Sequence, residues 1–117
     1  MDIQKDEINK TLEEFMKRVR KLINVKKFIM FGSRARGDNT SNSDLDLLII
    51  SPDFKNIKFF KRAAPFHLLW EYPLEIDIIC LTPEEMSQKK KEIGSIQQAI
   101  KEGIELHLKG LTQNKIP

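Results

Sequence analysis

The chain lacks several features that mark common classes of protein. Its 117 residues contain a single cysteine, Cys80, so no intrachain disulfide can form. Cys80 lies in an apolar run and is expected to be a small core residue. No apolar run approaches the roughly 20 residues that span a bilayer, and the first residues have no signal-peptide character. These absences argue against a disulfide scaffold and predict a cytoplasmic protein without a membrane segment.

The net charge of the chain is also small. The formal charge is only +3, although 32% of the residues are charged. This small excess suits a phosphate-bearing ligand or an acidic partner, whereas a protein that binds duplex nucleic acid would carry a concentrated basic face. The length is that of one domain with a modest core. We therefore expect a single domain, residues 1–117, without stable binding of duplex nucleic acid.

Two familiar phosphate and metal motifs are missing as well. The turn at Gly32-Ser33 is not a P-loop, because no Gly-Lys-Ser or Gly-Lys-Thr closes it. Residues 38–43 are not a calcium loop, because Ser43 stands where the sixth-position glycine belongs.

What the chain does have is a turn followed by paired carboxylates. The apolar run 28–31 ends at Gly32-Ser33, and ten residues later Asp44 and Asp46 open a second apolar run. Alternate residues of a strand point to one face, so these carboxylates should project together, with Cα atoms roughly 6.5 Å apart. Two carboxylates at this spacing suit a shared hard cation such as magnesium. Backbone amides and the hydroxyl of the turn can hold a phosphate chain.

A third carboxylate is expected on the next strand. Residues 74–81 alternate, with Glu75 and Asp77 on one face and apolar side chains on the other. A carboxylate in the middle of so apolar a strand is costly to bury unless it is paired or bound to metal. Asp77 is therefore favoured over Glu75, which lies nearer the strand end and can stay solvated.

The remaining pattern predicts an α+β fold, with a small mixed sheet of three or four strands packed with helices. Helical spacing predicts an amphipathic helix that covers one face of the sheet, and capping boxes at Thr82/Glu85 and Ser95/Gln98 predict two later helices. The expected helices cover residues 3–23, 34–36, 64–71, 83–91 and 96–103, and the expected strands cover residues 25–31, 44–50, 74–81 and 104–108.

Other residues receive structural interpretations. The aromatic side chains of residues 54–70 are expected in the core rather than as a base-stacking platform, and His67 and His107 are given no chemistry. Arg34 is expected to add charge beside the phosphates. The tail, residues 109–117, is expected to fray.

The composite pattern resembles a known superfamily. Gly32-Ser33-x-Ala35-Arg36-Gly37 followed by Ser43-Asp44-x-Asp46-Leu47 has the signature Gly-Ser, ten residues, Asp-x-Asp. That signature resembles the nucleotidyltransferase superfamily of DNA polymerase beta, poly(A) polymerase and the aminoglycoside nucleotidyltransferases. Its fuller form looks like the minimal nucleotidyltransferase branch, in which the catalytic domain stands almost alone. The resemblance implies a polymerase beta-like fold.

The resemblance also implies roles for the site residues. Asp44, Asp46 and Asp77 would hold two magnesium ions, with Asp77 helping to deprotonate an acceptor hydroxyl. Gly32-Ser33 would bind the phosphates of ATP, which is the nucleotide expected from the minimal branch. Arg36 remains open between two roles: assisting at the phosphates, or pairing with a carboxylate and bracing the loop.

The acceptor is expected to be another protein. About 36 residues follow the third strand, fewer than the roughly 50 residues of a small domain. Minimal nucleotidyltransferases are commonly paired with a helical HEPN-type ribonuclease toxin, and some attach AMP to one of its tyrosines. The resemblance thus implies an antitoxin that acts as a protein adenylyltransferase in a hetero-oligomer. The alternatives are a catalytically silent nucleotide- or partner-binding module, and transfer to a small molecule such as an aminoglycoside.

Overall fold

The computed structural model describes residues 3–108, which form an α+β fold with a four-stranded mixed sheet. The helices are α1 (Ile3–Leu22), α2 (Ser33–Arg36), α3 (Ala64–His67), α4 (Pro83–Lys89) and α5 (Ser95–Glu102). The strands are β1 (Lys27–Phe31), β2 (Leu45–Ile50), β3 (Ile76–Leu81) and β4 (Ile104–Leu106). Two 3-10 turns, Pro52–Phe54 and Phe59–Lys61, lie between β2 and α3.

The order of the strands gathers the predicted site at one end of the sheet. The order is β3-β2-β1-β4, with β1 antiparallel to β2 and β4, and β2 parallel to β3. The end of β1 therefore lies beside the starts of β2 and β3. In this register Phe31 pairs with Asp46, and Asp46 pairs with Asp77. The expectation that the three strands bring the turn and the carboxylates to one edge of the sheet is confirmed.

The two faces of the sheet carry separate hydrophobic clusters. The larger cluster packs α1 against one face, as its amphipathic pattern predicted, and includes the fully buried Phe15, Val19 and Phe28. The smaller cluster lies on the other face, where α4 and α5 contribute Met86 and Ala99. Because side chains alternate along a strand, Asp46 and Asp77 share this second face, beyond the end of its apolar cover. None of the described helices is long and apolar enough to cross a membrane.

Several elements are shorter than the sequence pattern predicted. Strand pairing between β2 and β3 begins where the Leu45 amide donates to the Glu75 carbonyl at 2.9 Å, so Asp44 and Glu75 lie just outside their strands. Strand β1 begins at Lys27, and α3 ends at His67, after which the Trp70 indole donates to the Leu74 carbonyl at 2.8 Å and closes a turn. Helix α4 and strand β4 each end two residues earlier than expected, at Lys89 and Leu106.

One predicted capping box is confirmed and the other is wrong. The Glu85 amide donates to the Thr82 hydroxyl at 3.1 Å, and the Thr82 amide donates to the Glu85 carboxylate at 2.9 Å. Helix α5 instead begins at Ser95, with Gly94 at the N-cap and no side-chain cap bond. Because the chain enters the helix one residue early, Ser95 lies inside it and the Gly94 carbonyl accepts from the Gln98 amide.

The aromatic residues of the 54–70 segment divide between core and surface. Phe54 and Phe66 are buried and meet edge to face, with ring centroids 5.9 Å apart. The core prediction is wrong for Phe59 and Phe60, which are 51% and 75% exposed because they lie on a short 3-10 turn at the surface. Cys80 is buried, as expected. The predicted fraying of residues 109–117 lies outside the described residues.

Candidate active site

Asp46 and Asp77 form a carboxyl pair at the open end of the sheet. They stand directly opposite each other on the parallel strands β2 and β3, and Asp77 is close enough to act on the pKa of Asp46. Asp46 is half-buried, whereas Asp77 is exposed to solvent. Glu75, the alternative to Asp77, precedes β3, and its backbone carbonyl accepts from the Leu45 amide at the start of β2.

The environment of Asp46 opposes its ionisation. Partial burial, as the largest cause, acts together with the hydrogen bond and the negative charge of Asp77 to raise the pKa of Asp46 to about 6. The charge of Asp44 adds to the increase in pKa, while the guanidinium of Arg36 opposes it. Two carboxylates this close need either a shared proton or a cation between them.

The glycine of the turn is required by Asp46. A Cβ atom on Gly32 would lie 2.1 Å from Oδ2 of Asp46, well inside van der Waals contact. Gly32 also has a φ of +76°, which side chains of L-residues rarely tolerate. The backbone of the turn therefore lies directly against the carboxylate that pairs with Asp77. The two halves of the sequence signature, Gly-Ser and Asp-x-Asp, meet at this contact.

The backbone of the turn is compact and closed by its own hydrogen bonds. The Gly32 carbonyl accepts from the amides of Ala35 and Arg36, each at 3.1 Å, and the Ser33 carbonyl accepts from the Gly37 amide at 2.8 Å. Gly37 follows with a φ of +87°, in the left-handed region that favours glycine. Ser33 thus opens a single helical turn that starts beside the carboxyl pair.

The donor set fits a hard divalent cation, although the three carboxylates are not yet gathered around one point. Carboxylate oxygens are the ligands that magnesium prefers, and Asp46 and Asp77 already face each other. Asp44 is exposed, one residue before β2, and it is close enough to raise the pKa of Asp46. Within residues 3–108, no three His, Cys, Asp or Glu side chains converge closely enough to hold a metal ion together.

Arg36 makes the bracing contacts that were one of its two predicted roles. Its guanidinium pairs with Asp38 at 3.2 Å and with Glu102 of α5 at 3.3 Å. These two carboxylates raise the pKa of Arg36 above its usual value, chiefly through hydrogen bonds. No local pattern pointed to Glu102, which is 66 positions away from Arg36. The ion pair between Arg36 and Glu102 ties the turn to α5, the helix that covers the second face.

Arg34 is placed differently from the phosphate-side role that we expected. Its guanidinium donates to the backbone carbonyl of Ser43 at 3.0 Å, and it also reaches the carbonyls of Thr40 and Ser41, each at 3.4 Å. The side chain is therefore directed at the loop before Asp44.

The comparisons with known proteins agree with this geometry. The protein-family model of the nucleotidyltransferase domain matches residues 10–107 of this chain. No curated protein matches the chain. The 1.40 Å crystal structure of a candidate nucleotidyltransferase from Sulfolobus solfataricus is similar to this chain, with a TM-score of 0.62 and 27% sequence identity. The superposition covers 73% of this chain and 76% of that chain. Fold, site and family match lead to one conclusion: the chain belongs to the nucleotidyltransferase domain family.

Proposed function

We propose that this domain transfers AMP from ATP to a hydroxyl group of a partner protein, with magnesium as the metal. Nucleotidyltransferase domains generally use nucleoside triphosphates and divalent metal ions. The observation that carries the proposal is the contact of Gly32 with the Asp46–Asp77 pair. It joins a phosphate-binding type of turn to a carboxyl pair that suits a cation.

Each residue has a defined task in this proposal. Asp46 and Asp77, with the exposed Asp44 beside them, would hold the metal. Gly32 lets the backbone approach the phosphates, and Ser33 offers its hydroxyl and amide to the β/γ end. Bound magnesium would neutralise charge on the triphosphate and on the leaving pyrophosphate.

Proton transfer is assigned to Asp77. It is the more exposed member of the pair, so an acceptor hydroxyl can reach it from solvent. The acceptor oxygen attacks the α-phosphorus, its proton passes to the Asp77 carboxylate, and the bond to pyrophosphate breaks. Positioning and electrostatic stabilisation supply most of the lowering of the barrier.

The acceptor is proposed to be a HEPN-type ribonuclease toxin, which would make this chain an antitoxin. The family resemblance supports this step, and so does the modest net charge of +3, because a polynucleotide acceptor favours a longer basic groove. The two proteins would associate as a hetero-oligomer.

Mass spectrometry of the partner tests both the chemistry and the acceptor. The chain, as wild type or as Asp46→Asn, is co-expressed with the protein encoded by the neighbouring gene, and the intact mass of that protein is measured. Wild type should add one or more AMP units, and the variant should add none. Transfer to RNA or to a small molecule instead would show that the acceptor is wrong. Absence of ATP binding at millimolar concentration would favour a silent binding module.

A further inference from the structure

Arg34 connects the Gly32-Ser33 turn to the loop that precedes Asp44. It lies in α2, immediately after Ser33, in a position that the Gly-Ser-x-Ala-Arg-Gly signature leaves open. Its Nε donates to the Ser43 carbonyl at 3.0 Å, and its Nη2 lies 3.4 Å from the Thr40 and Ser41 carbonyls. One planar guanidinium therefore faces three carbonyl groups of the segment that ends at Asp44.

The loop has a second set of bonds that keeps these carbonyls together. The Thr40 amide donates to the Ser43 hydroxyl at 2.9 Å, and the Ser43 amide donates back to the Thr40 carbonyl at 3.2 Å. The Asn42 amide donates to the Thr40 hydroxyl at 3.3 Å. These bonds make residues 40–43 a closed turn, and Arg34 fixes that turn to α2.

Packing contributes little to the position of this loop. Residues 36–42 are all exposed. A cavity of about 430 Å³ lies between the loop and α1, with Gly37, Asn39 and Thr40 on one side and Ile8 on the other. A polar contact crosses it, from the Gln4 side chain to the Ser41 carbonyl at 3.4 Å. Where side chains do not pack against a loop, its few polar contacts decide its conformation.

We propose that Arg34 is a positioning residue, which holds the 40–43 turn so that Asp44 stands beside the Asp46–Asp77 pair. Asp44 lies just before β2, and the first hydrogen bond of strand pairing is made by the next residue, Leu45. Its placement before that point depends on the turn. Lysine cannot replace Arg34, because a point charge with a tetrahedral head does not present the same planar set of donors to several carbonyls. The catalytic consequence rests on the proposed function, whereas the consequence for the loop does not.

Amide hydrogen exchange in the metal-free protein tests the loop directly. Arg34→Gln should speed exchange of the Ser43 amide by about tenfold, the size expected when charge-assisted hydrogen bonds are lost. The Met86 amide, bonded to Thr82 at 2.9 Å, should be unchanged. Arg36→Gln is the matched control, because Arg36 contacts Asp38 and Glu102 rather than the 40–43 turn. Equal Ser43 exchange in wild type and Arg34→Gln would overturn the proposal.

Kinetics then separate positioning from direct phosphate binding. Arg34→Lys should raise the half-saturating magnesium concentration by about tenfold, while the KM for ATP at saturating magnesium changes less than about twofold. Guanidinium ion at millimolar concentration should restore slow Ser43 exchange in Arg34→Ala, and ethylammonium should not. A raised KM for ATP with unchanged magnesium dependence would assign Arg34 to the phosphates instead. If exchange responds as expected but wild type transfers no AMP, the proposed function fails and the positioning role stands.

Discussion

The carboxyl pair predicts that Asp46→Asn abolishes activity and stabilises the metal-free protein. The pKa of Asp46 in the folded chain is about 6, above its ordinary value of 3.8, so the folded state binds more protons than the unfolded state between these pH values. The free energy of unfolding must therefore fall as pH rises from about 4 to about 6. Asparagine carries no charge at any of these pH values, and its amide can donate to Asp77.

The magnitude follows from the size of the shift. A shift of about two pKa units corresponds to roughly 3 kcal/mol at 1.36 kcal/mol per unit. Solvent screens this partly exposed pair, so a smaller effect, on the order of 1 kcal/mol, is the reasonable expectation. The free energy of unfolding of Asp46→Asn should therefore exceed that of wild type by about 1 kcal/mol at pH 8 in EDTA. At pH 4, where the Asp46 carboxyl is largely protonated, the difference should disappear.

Urea denaturation at pH 4 and pH 8 measures this effect, with and without magnesium. Magnesium should raise the stability of wild type at pH 8 and should do less for Asp46→Asn, because a ligand that binds the folded state stabilises it. Glu14→Gln, which removes an exposed carboxylate from α1, controls for the change in net charge. A variant that is less stable than wild type at pH 8 in EDTA would refute the electrostatic argument. A variant that still transfers AMP would refute the assigned role of Asp46.

The sequence was most informative where chemistry imposes a fixed spacing. Ten residues between Gly32-Ser33 and Asp44 were enough to predict that the turn and the Asp-x-Asp pair meet at one end of the sheet. Strand alternation also favoured Asp77 over Glu75, and the parallel register places Asp77 beside Asp46. These inferences worked because strand geometry fixes which residues share a face. The amphipathic pattern of α1 predicted its packing for the same kind of reason.

Contacts between distant positions could not be inferred in this way. Nothing local in the sequence pairs Arg36 with Glu102, because that contact depends on how α5 packs over the second face. The direction of Arg34 depends on a loop whose conformation is set by its own side-chain bonds. The exposure of Phe60 likewise follows from the path of a 3-10 turn. Hydrophobicity alone indicated a core position for it.

Three further predictions concern the turn, its brace and the capping box. Gly32→Ala should lower the free energy of unfolding by about 2 kcal/mol and abolish transfer, because φ is +76° and the new Cβ would meet Asp46; wild-type stability in a denaturation series would contradict this. Glu102→Gln should change stability by less than about 0.5 kcal/mol, since its ion pair with Arg36 is partly exposed, and a larger loss would show that the pair anchors α5. Glu85→Ala should be the costliest of the surface changes, because Glu85 both closes the cap of α4 and pairs with the guanidinium of Arg62, a buried residue. Losing the cap costs about 1 kcal/mol. Losing the Arg62 pair adds about 2 kcal/mol, less than the roughly 3 kcal/mol of a fully buried pair, because the Glu85 side chain is 39% exposed. Thr82→Ala removes only the hydroxyl of the cap and is the matched control for Glu85→Ala. Arg62 also depresses the pKa of Glu85, so the contribution of the pair is present above the ordinary carboxyl pKa of 4.5 and is lost as pH falls below it. The difference between Glu85→Ala and Thr82→Ala in urea denaturation should therefore be about 2 kcal/mol at pH 7 and should shrink at acid pH. Equal losses in the two variants at pH 7 would mean that the Arg62 pair contributes nothing to stability.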